Sequence, residues 1–295
     1  MTALFQRAKL YLELVKFEHT IFALPFALIG MLLAAHQTRS GLSAHTILWI
    51  LVAMVGARSA AMAFNRLVDA DFDAQNSRTA NRHLPRGLLS HAQVVVFLLL
   101  TISLFVLAAA QLNRLCLLLS PVALLFTLGY SYTKRFTSLC HFFLGMATGI
   151  APIGAWLAVT GSFAWPPILL WLTVMLWIGG FDIIYALQDY EFDLQAPLHS
   201  LPKRIGKAGA LTVSRLMHAT MLLLLLVVGR LCGLHLLYFL GLIVVAALIF
   251  YEQSLVKPDD IRRVNLAFFT LNGWVSVTLF GFVLLDVLLH KSAAR

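Results

Sequence analysis

The chain has 295 residues, of which 60% are hydrophobic and only 12% are charged, and its mean hydropathy is +0.87. Soluble domains carry about 25% charged residues, so this composition excludes an ordinary soluble protein and predicts one that crosses a membrane many times. The net charge of +9 would suggest a nucleic-acid partner in a soluble protein. In a membrane protein, Lys and Arg in the cytoplasmic loops explain that charge better, and we expect no nucleic acid.

Nine apolar segments follow one another along the chain, and each is close to the ~20 residues that cross a bilayer core. The polar pieces between them are short, so we expect one all-α membrane domain, residues 1–295, with nine transmembrane helices. Residues 1–17 are amphipathic and predict a helix that lies at the membrane interface. The predicted spans are residues 18–38, 46–68, 92–111, 113–133, 138–160, 167–188, 211–230, 233–252 and 266–288.

The basic residues predict the orientation of these spans. With an inner N-terminus, 15 of the 22 Lys and Arg residues fall on the inner side and five on the outer side, while Arg58 and Arg215 fall within helices. Because positive charge accumulates on the cytoplasmic side of membrane proteins, we expect the N-terminus inside and the C-terminus outside.

The second predicted span ends in a polar face. Asn65, Asp69 and Asp73 are four residues apart, so they lie above one another on a helix. Two carboxylates one turn apart repel each other unless a cation lies between them, and hard oxygen ligands suit Mg²⁺. Asp71 points away from this face, and we leave it out of the ligand set.

Basic residues precede and follow that face. Arg58 lies two turns before Asn65, and a charge within a membrane helix usually faces a cavity. We interpret Arg58 as a contact for an anionic substrate; the alternative is that it only neutralises a nearby Asp. Arg78 and Arg82 lie in the donor-rich loop that follows, where Arg suits phosphate contact; contact with lipid head groups is the alternative.

The fourth and fifth predicted spans carry less specific signals. Lys134 follows interfacial aromatic residues, which form an ordinary membrane belt, but its ammonium group could also reach a diphosphate. Gly145, Gly149 and Gly154 allow helices to approach closely or leave room for a ligand.

The sixth predicted span repeats the acidic pattern of the second. Three pairs of residues match at an offset of 120 residues: Asn65 with Tyr185, Asp69 with Asp189, and Asp73 with Asp193. Asp182 shares the face of the second set and lies deeper, where a carboxylate must be protonated or paired with a cation. The following loop, which contains Lys203, again supplies positive charge. Two acidic helix ends beside basic loops suggest two metal ions around one polyanion.

These motifs resemble those of the UbiA superfamily of membrane prenyltransferases. The matches are N-x-x-x-D-x-x-x-D at 65–73, R-T-A-N-R-x-L-P at 78–85 and Y-x-x-x-D-x-x-x-D at 185–193. The resemblance covers most of the chain. It implies a nine-helix fold in the bacterial inner membrane, with the active site facing the cytoplasm. It also implies Mg²⁺-dependent transfer of a prenyl chain from a polyprenyl diphosphate to a small aromatic acceptor.

The resemblance also implies roles for individual residues. The implied metal ligands are Asn65, Asp69, Asp73, Asp189 and Asp193. The implied catalytic residues are Asp69, Asp73, Asp189, Asp193 and Tyr185. The resemblance and the charge pattern together predict the substrate-binding residues Arg58, Asn65, Arg78, Arg82, Lys134, Asp182 and Lys203. Of these, Arg58 would bind the acceptor carboxylate, and the Tyr185 ring could stabilise an allylic cation.

The identity of the acceptor stays open at this point. The motifs are most similar to those of members that prenylate 4-hydroxybenzoate for ubiquinone synthesis. Those members commonly have Asp directly after the motif Asn, whereas this chain has Arg66. Arg66, the stretch FEHTIFALPFAL at 17–28 and the stretch YALQD at 185–189 also resemble members that prenylate a futalosine-type acceptor for menaquinone synthesis. A secondary transporter is the rival from another class, but these acids cluster at cytoplasmic helix ends and not at the midplane.

Overall fold

The computed structural model describes residues 2–16, 20–39 and 41–292, and these residues form helices and no β-strand. The helices are Thr2–Leu14 (α1), Thr20–Thr38 (α2), Ala44–Gln75 (α3), His91–Leu112 (α4), Arg114–Thr133 (α5), Cys140–Thr160 (α6), Trp165–Ala186 (α7), Tyr190–Gln195 (α8), Leu201–Leu231 (α9), Leu236–Leu255 (α10) and Asn272–Ser292 (α11). A 3₁₀ turn over Leu187–Asp189 joins α7 to α8, and a π-helix over Leu266–Leu271 leads into α11. The predicted all-α fold is confirmed.

The predicted nine-span membrane architecture is confirmed as well. Within the described ranges, eight helical stretches are long and apolar enough to cross a membrane, and α2 adds a shorter apolar helix over Phe22–Thr38. Residues 1 and 17–19, which belong to the predicted interfacial helix and first span, lie outside the described residues. The helix α3 continues beyond its apolar span to Gln75, as the acidic face at 65–73 requires, and a short helical segment from Leu201 precedes the main part of α9, separated from it by non-helical backbone at Gly206 (φ 76°, ψ 165°). Both extensions are polar, so hydropathy alone does not detect them.

The sixth predicted span is interrupted, which differs from the continuous helix that the sequence suggested. The α-helix ends at Ala186, and the chain makes one 3₁₀ turn before the short helix α8. A 3₁₀ turn has about three residues per turn, so the spacing of four between Tyr185 and Asp189 does not place them on one α-helical face. The expectation that Asp182, Asp189 and Asp193 lie along a single helix is therefore wrong.

Several apolar clusters hold the bundle together, and two of them show how its two sides pack. The larger one joins α2, α7 and α11 with their neighbours, and its Phe26, Trp177 and Val283 are fully buried. The smaller one joins α1, α3 and α4 through residues that include Leu14 and Ala60. Because Leu14 is fully buried, the end of the N-terminal helix packs onto the bundle.

Glycines let α6 approach α7 and also leave space beside it. A Cβ at Gly145 would lie 2.2 Å from the carbonyl oxygen of Met175, and a Cβ at Gly149 would lie 2.6 Å from the Trp171 ring. Larger residues therefore cannot occupy these positions without moving α7. A Cβ at Gly154 would meet open space, and this residue lines the large cavity. Both predicted uses of glycine occur in this helix.

The orientation of the bundle stays a prediction with a direct test. The charge bias predicts that α11 ends outside the cytoplasm and that the loop at 196–200 lies within it. Alkaline phosphatase fused after residue 295 should therefore be active, whereas the same enzyme inserted after residue 198 should be inactive. A cytoplasmic reporter signal from residue 295 would contradict the predicted orientation.

Candidate active site

A single large cavity gathers nearly all the residues that the sequence singles out. Its volume is about 1360 Å³, more than the roughly 300–1,000 Å³ of most small-molecule sites. The predicted residues that line it are Arg58, Asn65, Asp69, Asp73, Arg78, Arg82, Lys134, Asp182, Tyr185, Asp189 and Asp193. Lys203 is the exception, because its ammonium group donates to the carbonyl oxygens of Ala196 and Leu198, both at 2.9 Å. The structure therefore places Lys203 in loop stabilisation and outside the predicted substrate site.

The acidic face of α3 continues without interruption to the end of the helix, as the spacing predicts. Asn65 Nδ2 donates to Asp69 Oδ2 at 2.9 Å, and Lys134 Nζ donates to the same oxygen at 2.7 Å. One turn further, Arg82 Nη1 donates to both carboxylate oxygens of Asp73, at 2.6 and 2.7 Å. Asp71 is exposed, as predicted. The chain's own basic side chains thus supply the positive charge that these two carboxylates require.

The second acidic segment is joined to the loop after α3. Arg78 Nε and Asn76 Nδ2 each donate to Asp189 Oδ1 at 2.8 Å, and Arg78 Nη2 donates to the other carboxylate oxygen. Arg78 Nη1 also donates to the Tyr185 hydroxyl at 3.1 Å. Burial lowers the pKa of Arg78, but the hydrogen bond to Asp189 and the negative charges of Asp189 and Asp73 together outweigh burial, and the pKa of Arg78 is raised. This arginine therefore stays charged where the two acidic segments meet.

Asp182, the deepest acid, pairs with a histidine that no sequence motif marks. His141 Nδ1 lies 2.6 Å from Asp182 Oδ2, and His141 Nε2 accepts the backbone N–H of Leu201 at 3.3 Å. Because Nε2 is an acceptor, the ring proton is on Nδ1 and is donated to the carboxylate. His141 is 3% exposed, so it holds Asp182 in place while Asp182 itself faces the cavity. The sequence predicts that Asp182 needs a partner, but 41 residues separate it from His141, so spacing cannot identify the partner.

Aromatic rings from the π-helix form the wall next to Tyr185. The rings of Tyr185 and Phe268 stack with centroids 4.1 Å apart, and the Phe269 ring lies 6.2 Å from Tyr185. All three residues line the cavity. A π-helix is rare and frequently occurs at functional sites. Phe268 and Phe269 carry no motif, so only the fold reveals their position.

The donor atoms at this end of the cavity suit a hard cation. Asp69 Oδ1 is buried and has no hydrogen-bond partner in the described part of the chain, and an unpaired buried carboxylate oxygen is costly. Together with Asp73, Asp189 and Asn65 it offers the oxygen ligands that Mg²⁺ prefers. In the described residues these carboxylates do not form a group close enough to share one ion. An ion shared by three of these carboxylates would therefore require them to move closer together.

The cavity changes from polar to apolar along α3. Asn65, Asp69 and Asp73 line it near the end of the helix, whereas Ile50 and Met54 line it nearer the beginning. With a rise of 1.5 Å per residue, Ile50 lies roughly 35 Å from Asp73 along the helix axis. The cavity therefore combines a charged end with a long apolar part.

Comparison with known proteins gives consistent results over most of the chain. The model of the UbiA prenyltransferase family matches residues 23–274. The 4-hydroxybenzoate octaprenyltransferase of Tolumonas auensis is 32% identical over 247 residues, which are 83% of this chain and 86% of that protein.

Solved structures of UbiA homologues have the same fold. The apo structure of a UbiA homologue from Aeropyrum pernix K1 aligns with a TM-score of 0.82 and 33% identity, covering 91% of this chain and 98% of that one. A UbiA homologue from Archaeoglobus fulgidus, solved with GPP and Mg²⁺ bound, aligns with a TM-score of 0.71 and 19% identity, covering 94% and 99% of the two chains.

Proposed function

The chain belongs to the UbiA prenyltransferase family, and we propose that it transfers a polyprenyl chain from a polyprenyl diphosphate to 4-hydroxybenzoate, with Mg²⁺, releasing diphosphate. The observation that carries this proposal is the cavity itself, in which carboxylates and basic side chains occupy one end and a long apolar wall continues from them. A polyprenyl diphosphate has the same division between a charged head and an apolar tail. The choice of 4-hydroxybenzoate rests on the names of the relatives and on the residues discussed below.

Arg78, Arg82 and Lys134 are the proposed diphosphate contacts. Each now pairs with a carboxylate: Asp189, Asp73 and Asp69, respectively. A magnesium ion at a carboxylate would replace its basic partner, and the freed guanidinium or ammonium group could then bind a phosphate oxygen. The ion pairs in the structure thus hold the site's positive groups close to where they would be needed.

Asn65, Asp69, Asp73, Asp189 and Asp193 are the proposed ligands of Mg²⁺. When bound, Mg²⁺ would neutralise the negative charge that develops on the leaving diphosphate. The A. fulgidus homologue was solved with GPP and Mg²⁺ bound. This supports the proposal that a prenyl diphosphate and Mg²⁺ bind together in the present protein. Arg78 would add a charge-assisted hydrogen bond to the leaving group, which strengthens as the allylic C–O bond breaks.

The aromatic wall is suited to the prenyl cation that forms when this bond breaks. The π-face of a Tyr or Phe ring attracts a nearby cation, by about 0.5–2 kcal/mol. Tyr185 is held at two points, since its hydroxyl accepts from Arg78 and its ring stacks on Phe268, and the Arg78 guanidinium carbon lies 5.2 Å from the ring centroid. The ring therefore keeps one orientation beside the charged end of the cavity.

Two residues are placed to hold the aromatic acceptor. Arg58 lies on the cavity wall between the apolar part of α3 and Asn65, where its guanidinium could bind the acceptor carboxylate. Asp182 lines the same cavity and has one oxygen, Oδ2, bound to His141. We propose that its other oxygen takes the ring proton after the ring carbon ortho to the hydroxyl has attacked the prenyl cation. The electron pair of the broken C–H bond then restores the aromatic ring.

Arg66, where this chain departs from the usual motif, lines the same cavity and also contacts α1. Its side chain is 7% exposed, and its Nε donates to the carbonyl oxygen of Leu14 at 3.4 Å. Arg66 therefore helps to attach α1 to α3, which is a structural reason for the departure from the usual motif. A futalosine-type acceptor remains the second candidate and is included in the final assay.

Replacing Arg58 with Leu should raise the KM for 4-hydroxybenzoate by about 30-fold or more, because truncating one partner of a desolvated charge pair costs roughly 2–5 kcal/mol. The KM for the prenyl diphosphate should change far less. Steady-state kinetics in membranes, with each substrate varied in turn, measure both values.

Arg215 provides the matched control for this prediction. Like Arg58, it falls within a helix in the charge count, but its side chain is exposed and lies outside the cavity. Arg215→Leu should therefore leave both KM values unchanged. A change confined to the diphosphate KM in Arg58→Leu would assign Arg58 to the donor and contradict its role at the acceptor.

A further inference from the structure

Two histidines and an aspartate meet at the end of α11, far from the charged end of the cavity. His235 directly precedes α10, while Asp286 and His290 lie one turn apart in α11. Asp286 is 14 residues beyond Asn272, which is about 21 Å along the helix. One ligand atom from each of the three side chains lies within 4.8 Å of the others. Among the described residues, no other group of at least three His, Cys, Asp or Glu side chains is this close.

Asp286 is a buried carboxylate with little compensating charge. It is 1% exposed, and its two oxygens accept the backbone N–H groups of His235 at 2.9 Å and Tyr238 at 3.3 Å. These bonds cap α10, whose start has no other side-chain cap. Within the described residues, the two histidines are the basic side chains beside Asp286, with His235 Nδ1 at 3.6 Å and His290 Nδ1 at 3.9 Å from its oxygens. A buried carboxylate is costly unless a cation neutralises it.

His290 is oriented in the manner of a metal ligand. Its Nδ1 lies 2.8 Å from the backbone carbonyl oxygen of Asp286. A carbonyl can only accept, so Nδ1 carries the proton and Nε2 keeps a free lone pair. Histidines that bind metals commonly donate their other ring N–H to a carbonyl or carboxylate in this way.

His235 completes the set from a different helix. Its ring stacks on that of His290 with centroids 3.6 Å apart and planes 7° from parallel. Parallel rings do not direct their lone pairs to one point, so one ring must turn to share a metal. The His235 side chain is 49% exposed and has room to turn. Zinc bonds of 2.0–2.1 Å place tetrahedral ligand atoms about 3.3 Å apart, so these side chains, which offer ligand atoms within 4.8 Å of one another, must draw closer to share an ion.

We propose that His235, Asp286 and His290 bind a divalent transition-metal ion, with Zn²⁺ as the best match to two imidazoles and one carboxylate. The ion neutralises the buried charge of Asp286 and joins the beginning of α10 to the end of α11. Three protein ligands leave a fourth position for water. This site is separate from the proposed magnesium ligands and does not depend on the proposed function.

Zinc titration of the full-length protein tests this site. The protein is purified in detergent without a polyhistidine tag, and binding of Zn²⁺ alone is measured by calorimetry. Wild type should bind about one equivalent, and His235→Ala and His290→Ala should each weaken binding by at least about tenfold, as loss of a ligand or its orienting partner does. Saturating Zn²⁺ should also raise the Tm of the wild type but not that of the variants.

The controls separate this site from non-specific binding to surface histidines. His45 is an exposed histidine in the first turn of α3 and is not part of the group, so His45→Ala should bind Zn²⁺ as the wild type does. The histidine variants leave the carboxylate cap of α10 in place, so their circular dichroism without metal should match the wild type. Equal binding by wild type, His235→Ala and His290→Ala, or no saturable binding to the wild type, would overturn the proposal.

Discussion

Replacing Asp69 with Asn should lower kcat for prenyl transfer by about 10³-fold, a loss comparable to removing one preorganised group that stabilises transition-state charge. Asp69 is 2% exposed, and its Oδ1 is the buried oxygen without a hydrogen-bond partner in the described residues. Asn keeps the shape of the side chain but removes the negative charge that a magnesium ion requires. It also leaves Lys134 without its carboxylate partner. The measurement is turnover of a radiolabelled prenyl donor at saturating substrate, over a range of Mg²⁺ concentrations.

Asp71 is the matched control, because it is the same residue type on the same helix but is exposed. Asp71→Asn should retain nearly full activity.

The other three acidic residues should also be essential. Replacing Asp73, Asp189 or Asp193 with Ala should abolish transfer, while the purified variants remain folded. Near-normal turnover in any two of the four acidic-site variants would rule out the proposed two-metal arrangement.

Replacing Asp182 with Asn should lower kcat by about 10²-fold, which is the lower range for loss of a general base, with little change in the KM for either substrate. Without this base, removal of the ring proton becomes the slow step. An acceptor deuterated at the ring positions ortho to the hydroxyl should therefore react more slowly than unlabelled acceptor in the variant. In the wild type the two acceptors should react at the same rate. Equal rates in the variant would contradict the role of Asp182 as the base.

His141 should act through Asp182 as a positioning residue. His141→Leu removes the hydrogen bond to Asp182 and should show a partial loss of kcat with an isotope effect of its own. His141→Gln can still donate to the carboxylate and accept from the N–H of Leu201, so it should recover much of the activity. If both variants are equally impaired and neither shows an isotope effect, His141 has only a structural role.

The sequence predicts the nine helices and the face of α3 because both depend on local periodicity. Apolar length identifies each span, and the spacing of Asn65, Asp69 and Asp73 is sufficient to place them together on a continuous helix. The second acidic set is harder to predict, since hydropathy does not reveal the 3₁₀ turn at Leu187–Asp189. The residues still line the cavity, but an interrupted helix presents them there.

Contacts between distant segments could not be predicted from spacing. His141 meets Asp182 only because α6 packs on α7, and Phe268 reaches Tyr185 only because a π-helix precedes α11. For Lys203 the sequence predicts a contact that the structure does not show. It is expected to bind substrate because it follows the second acidic segment, but its ammonium group donates to carbonyl oxygens of its own loop. Charge and spacing identify candidate functional residues in the membrane spans and loops. The contact partner of each residue depends on the tertiary fold.

The most direct test of the proposed function is an assay of the purified protein with a radiolabelled all-trans polyprenyl diphosphate, Mg²⁺ and 4-hydroxybenzoate. The products are separated and identified by mass spectrometry, and the released diphosphate is measured in parallel. We expect 4-hydroxybenzoate carrying the prenyl chain ortho to its hydroxyl, with one diphosphate released per product and no product in EDTA. Absence of this product, with prenylation of a futalosine-type acceptor under the same conditions, would contradict the proposed acceptor, and absence of both products would contradict the proposed reaction.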